Sequence, residues 1–91
     1  MTFGLLIKHM KYREFNTLTD LDRADAAWKK GVLLAERLEA FHKMMLYQLD
    51  DFYIEVTYHT HFNVVLKVQS FKDPRFLEPY LQAIDISQFL A

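Results

Sequence analysis

The chain of 91 residues has no cysteine, only two glycines and two prolines, and no surplus of either charge. Without cysteine, neither disulfides nor thiolate metal sites can contribute, which suits a reducing compartment. With glycine only at Gly4 and Gly31, no glycine-rich loop is available to cradle a phosphate. Eleven Lys+Arg against twelve Asp+Glu leave a formal net charge of −1. Nucleic-acid binders usually carry a basic surplus, because neutralising phosphates supplies most of their affinity. One local basic group (Lys8, His9, Lys11 and Arg13) reads as a solvated face, so nucleic acid is not an expected partner. No apolar run approaches the ~20 residues of a membrane span. The N-terminus lacks the charge and the ~7–15 apolar residues of a signal peptide. The expectation is a cytoplasmic protein that does not engage a membrane.

What is present is apolar. Hydrophobic residues make up 52% of the chain and aromatic residues 15%, too much for a disordered segment. The length suits a single small domain over residues 1–91. Within it, residues 1–16 read as an arm or an edge strand, with Phe3, Leu5 and Ile7 alternating. More apolar side chains are present than a small core buries, which points to a partner.

From Thr19 the local signals sharpen. Thr19 is a helix N-cap with Asp22 in capping-box position, and Asp20, Asp22 and Asp25 crowd the start. Lys29 and Lys30 close the segment and Gly31 follows, an order that the helix dipole and C-cap geometry favour. Leu21, Ala24 and Trp28 form its apolar stripe, so a helix is predicted over Thr19–Lys30. The segment Val32–Leu49 has two readings. Its Leu, Ala, Glu, Met and Lys are helix formers, and the stripe continues through Val32, Ala35, Leu38, His42, Met45 and Leu49. One long helix over 19–49 followed by a β-hairpin is therefore the rival architecture. Against it, Gly31 costs about 1 kcal/mol in a helix interior, and the strands downstream need partners, because an isolated hairpin is marginal. Two strands, Val32–Glu39 and Lys43–Asp50, joined near Ala40–His42, are the favoured reading.

The stretch Phe52–His59 alternates with period two. Phe52, Ile54, Val56 and Tyr58 fall on one side, and Tyr53, Glu55, Thr57 and His59 on the other. Asp50-Asp51 supplies a tight turn before it, and Asn63 a turn residue before a further strand at Val64–Phe71. Asp73 then caps a helix that begins at Pro74. Pro79 divides it into Pro74–Glu78 and Pro79–Ile84, with Phe76, Leu77, Tyr80, Leu81 and Ile84 on the apolar side. Ile86, Phe89 and Leu90 suggest a tail that packs back. The predicted class is α+β: an N-terminal helix, a four-stranded antiparallel meander and a short broken C-terminal helix.

The combination F-N-x-L (Phe15–Leu18), W-x-x-G (Trp28–Gly31), L-Y-x-L-D-x-F-Y-x-E-V-x-Y (Leu46–Tyr58) and L-E-P-Y-L-x-x-I-D (Leu77–Asp85) resembles a family of short uncharacterised bacterial proteins. The resemblance spans residues 15–86. It implies the same architecture, a helix, an antiparallel meander and C-terminal helical turns, and transfers no catalytic residue.

Three groups of residues are candidates for chemistry. His59 and His61 share a strand face about 7 Å apart and would offer two imidazoles to a metal, but the third ligand is missing, since Glu55 or His42 reaches them only through an unspecified pairing. They read more simply as residues of a polar turn, and no metal or cofactor is expected. Glu55 with His59 would make an acid–base pair, yet no nucleophile accompanies them, as Ser70 and Ser87 lie in no G-x-S-x-G context. A cross-strand pair on an ordinary polar face explains them as well, and the chain is not expected to be an enzyme. The aromatic set is the third. If the helices cover one sheet face only, the other shows Tyr47, Tyr53, Thr57, Met45 and Phe62 to solvent, residue types expected at an interface.

The favoured expectation is therefore a small interaction module that self-associates as a homodimer, through that aromatic face or a sheet edge, with another protein as a further possible partner. The alternative is a ligand-binding or hydrolytic domain with a pocket using Glu55, His59 and His61.

Overall fold

Thr19, itself extended (φ −70°, ψ 165°) after a turn, accepts a hydrogen bond from the Asp22 backbone N–H at 3.2 Å, which starts the main helix, α2 (Asp20–Lys30). The computed structural model describes residues 10–83. Before α2 lies a single helical turn, α1 (Tyr12–Phe15), where an arm or edge strand was expected; the alternating Phe3, Leu5 and Ile7 lie outside the described residues. After α2 come four strands, β1 (Val32–Glu39), β2 (His42–Leu49), β3 (Phe52–His59) and β4 (Val64–Phe71). They form one antiparallel sheet in the order β1-β2-β3-β4. A 3₁₀ turn (Pro74–Leu77) and α3 (Glu78–Ala83) complete the described chain. The α+β meander is thus present, and the long helix over 19–49 is not.

Gly31 decides between those two architectures, by a different route from the one its position suggests. Its backbone is extended (φ −85°, ψ 164°), not left-handed. A Cβ there would lie 2.7 Å from the Ala27 carbonyl oxygen and 3.2 Å from Tyr47 Cβ. The residue therefore serves close approach, letting the chain turn from α2 straight into β1 over Tyr47. Beyond it, Asp50-Asp51 makes the turn between β2 and β3, with Asp50 at φ 53°. Ala40 and Asn63 also take positive φ (52° and 54°) in the other two connections. Asp73 caps the 3₁₀ turn by accepting from the Arg75 N–H at 2.9 Å, with Pro74 next to it. Pro79 falls in the first turn of α3, where its missing N–H is no loss.

The first core lies between the helices and one sheet face. Phe15, Phe52, Ile54 and Val56 are fully buried there, with Ala24, Ala27, Tyr47, Leu49 and Val68 around them. Phe52 meets Tyr12 edge-on at 5.4 Å and Phe15 at 5.2 Å. The stripe of α2 differs from expectation. Leu21 is 71% exposed, and the small side chains Ala24 and Ala27 make the contact. A helix seated this close to a sheet, with Gly31 immediately behind it, has no room for leucine on the inner face. Trp28 sits at the margin, its ring stacked on Tyr58 at 6.1 Å and its Nε1–H donating to the Tyr58 hydroxyl.

Candidate functional site

The opposite sheet face is not left open. Tyr80 and Leu77, from the C-terminal helical elements, pack over Met44, Leu46, Ala35, Tyr53 and Phe71 in a second, smaller core. The expectation of a single covered face is corrected here, because the short broken helix folds back across β1 and β2.

Strand register corrects the composition of that face as well. Tyr47 pairs with Ile54 and Met45 with Val56, so both side chains share the face under α2. Tyr47 is buried against the helix core, and burial raises its hydroxyl pKa. Tyr53 and Thr57 do lie on the other face, but Tyr53 is half-buried and stacked on Phe71 at 5.6 Å, and Thr57 is buried. Phe62 stands in the β3–β4 loop, exposed and away from both faces. The five residues expected at one aromatic surface are therefore split among two cores and a loop.

Glu55 is at the centre of a polar knot on the C-terminal side. The Tyr80 hydroxyl donates to Glu55 Oε2 at 2.7 Å, and Arg37 Nη2 lies 3.7 Å from the same oxygen. Arg37 also pairs with Glu39, and its guanidinium rests over the Tyr80 ring at 5.2 Å. Burial strongly raises the Tyr80 pKa, reinforced by the bond to Glu55. Although burial opposes the charge on Arg37, the Glu39 and Glu55 carboxylates raise its pKa on balance. The register explains why these groups meet. Arg37 and Glu55 project from alternating positions of β1 and β3 on one face, and α3 lays Tyr80 across them. A cleft of about 450 Å³ opens beside the knot, bordered by Arg37, Glu55, Gln69, Phe71, Asp73 and Phe76.

His59 belongs to a different cluster. Its Nδ1 accepts the backbone N–H groups of His61 (3.2 Å) and Phe62 (3.3 Å), which leaves the ring proton on Nε2. Phe41 stacks flat on the ring at 5.9 Å, Phe62 tilts against it at 4.8 Å, and His42 approaches edge-on from β2 at 6.1 Å. Thr60 ties the loop to the neighbouring turn, its N–H donating to the Phe41 carbonyl at 2.7 Å. His59 thus organises a turn. Four steps along β3, roughly 13 Å of strand, separate it from Glu55, far beyond the ~2.6–3.2 Å an acid–base pair needs. Among the described residues, no group of three or more His, Asp or Glu side chains is arranged to hold a metal ion.

What remains unoccupied is the margin of the sheet. Among the described residues, no strand pairs with the outer edge of β1 or of β4. Both edges carry a bulge, at Leu34 in β1 and at Leu66 in β4, and both leucines are exposed. β1 exposes the longer apolar series, Val32, Leu33, Leu34 and Leu38, of which Leu38 is 69% exposed. On β4, Lys67 interrupts the exposed series and Tyr12 donates to the Ser70 carbonyl at 3.2 Å, closing part of the margin. The sequence offered the second sheet face or a sheet edge as the place of contact, and named residues only for the face. The usable signal was V-L-L-A-E-R-L-E itself, where Leu33, Leu34 and Leu38 do not follow one face.

Compared with known proteins, the chain matches no family model, no curated protein and no solved structure. Among the described residues no helix is long and apolar enough to cross a membrane.

Proposed function

We propose that this protein is a small cytoplasmic interaction module that self-associates through the β1 edge of its sheet. The observation that carries the reading is the exposure of Val32, Leu33, Leu34 and Leu38 on a strand whose outer backbone meets no other described strand. An exposed edge is a template for pairing with another chain, and natural proteins blunt such edges unless they use them. β1 carries no proline and no lysine, and its bulge lies toward its N-terminal end, leaving Ala35–Glu39 regular. With the two sheet faces engaged by the protein's own helices, the β1 edge is where exposed apolar side chains adjoin backbone that no described strand pairs. The resemblance to short uncharacterised bacterial proteins, read from the sequence, carries no known activity and adds no partner.

The alternative, a ligand-binding or hydrolytic pocket, has the cleft beside Glu55 in its favour. It is the weaker reading, because Tyr80 and Arg37 already hold the Glu55 carboxylate, and His59 and His61 belong to the turn cluster. Sedimentation equilibrium of the intact chain tests the first reading. A reversible dimer at tens of micromolar supports it, and a monomer over that range rejects it.

A further inference from the structure

Resting on that self-association, we infer that two copies join β1 to β1 in antiparallel register centred on Leu38, fusing their sheets into one. Three observations select this geometry. First, antiparallel pairing about a two-fold axis perpendicular to the sheet sets each residue opposite one on the same face, so only a few registers exist. Second, the register shift between Leu33 and Ala35 disrupts the N-terminal part of the strand. A centre at Ala35 would lay Leu33 and Leu34 of each copy along the contact, into that bulge. The regular segment Ala35–Glu39 is what can pair.

Third, charge decides among the centres that remain. A centre at Glu36 sets two carboxylates directly opposite each other, and a centre at Arg37 sets two guanidinium groups opposite; like charges facing across strands are destabilising. Centred on Leu38, the strand meets its copy with Leu38 opposite the partner's Leu38 and Arg37 opposite the partner's Glu39, twice over by symmetry. Glu36 then faces the partner's Ala40, an uncharged residue of the β1–β2 turn, so the paired segment proper is Arg37–Glu39. The side chains are available for this arrangement. Leu38 is largely exposed, and the Glu39 side chain is 63% exposed, free to turn from its own Arg37 to the partner's. Arg37 is already fixed at its inner side by Glu55 and Tyr80, so it presents its guanidinium without further ordering. The C-terminal elements thereby brace one of the two charges at the contact.

The absence of native cysteine makes the test direct. Opposite residues of an antiparallel pair have Cα atoms about 4.5–5.5 Å apart, inside the ~4.4–6.8 Å range of disulfides. Leu38→Cys is therefore expected to form a covalent dimer under mild oxidation, read on a non-reducing gel. Leu66→Cys, at the exposed bulge of β4, is the comparison, its leucine 46% exposed against 69% for Leu38. Thiols held opposite each other react at a local concentration on the order of millimolar, so at micromolar protein the first variant is expected to cross-link on the order of a hundred-fold faster. Glu39→Lys, which sets a cation opposite Arg37, is expected to weaken the wild-type dimer in sedimentation while circular dichroism stays unchanged. Equal or faster cross-linking of Leu66→Cys overturns the inference and moves the contact to β4. A wild-type dimer indifferent to Glu39→Lys, with no cross-link at position 38, rejects this register but keeps self-association. A monomeric wild type rejects both.

Discussion

The two faces of this sheet are held by opposite means. Under α1 and α2 the contact is dry and apolar, with Phe15, Phe52, Ile54 and Val56 fully buried and alanines bringing the helix close. Under α3 the contact is narrow and mixed, with Tyr80 and Leu77 covering Met44 and Leu46 beside an ion pair that the Tyr80 hydroxyl completes. The first face secures the fold by area, since burial stabilises in proportion to apolar surface removed from water. The second positions charges. The difference teaches why the exposed apolar residues of the sheet itself lie on its outer strands: both faces are engaged, one by packing and one by hydrogen bonding, while β1 and β4 each keep one side without a described neighbour strand.

Removing the ring of Phe52 attacks the first face. Phe52→Ala is expected to destabilise by about 3–5 kcal/mol, read as a fall in the urea midpoint at an unchanged slope. A loss under about 1 kcal/mol would show that this core is not the main source of stability.

The second face should break more gently and with a pH signature. The Tyr80 hydroxyl titrates above its ordinary value of 10.0 in the fold, first because it is buried and then because it bonds Glu55. Tyr58, also desolvated, is pushed up to about 12. A group whose folded pKa is raised contributes stability that is whole below its unfolded pKa and is lost as pH rises through the folded one. Stability is therefore expected to fall as pH rises above 10. Tyr80→Phe is expected to cost about 1 kcal/mol at pH 7 through the lost bond to Glu55 and to flatten that alkaline decline. Urea midpoints at pH 8, 10 and 11 (conditions chosen around the ordinary tyrosine value) check both. An alkaline slope unchanged by the substitution would place the titrating group elsewhere.

The smallest effect concerns neither face. Ala40 holds φ 52° in the β1–β2 turn, a left-handed conformation that costs a residue with a Cβ roughly 1–2 kcal/mol. Ala40→Gly is expected to raise the melting temperature, by up to about 1 kcal/mol of stability after the entropy of glycine is counted. A lowered melting temperature would show that the Ala40 methyl makes a compensating contact.

Much of this was legible from residue pattern. The alternation of Phe52–Tyr58, the cap at Thr19, the break at Gly31 and the Asp73-Pro74 start all correspond to elements where they were expected. The face assignment of Tyr47 and Met45 failed although the information was present. Asp50-Asp51 as a two-residue turn pairs Leu49 with Phe52, and counting back puts Tyr47 beside Ile54 and Met45 beside Val56. The partners of Glu55 were not legible. Arg37 and Tyr80 lie 18 residues before it and 25 after it; the β1-β2-β3 register brings Arg37 to its face, and only the packing of α3 adds Tyr80. Gly31 was placed rightly at the helix end, but its reason, the 2.7 Å approach to the Ala27 carbonyl, belongs to packing rather than to dihedral preference.

Sedimentation equilibrium of the wild type beside Leu38→Lys tests the central claim most directly. Self-association through β1 predicts a dimer for the wild type and a folded monomer for the variant, because the lysine blunts an edge without touching either core. A dimer of equal strength in both proteins would contradict it.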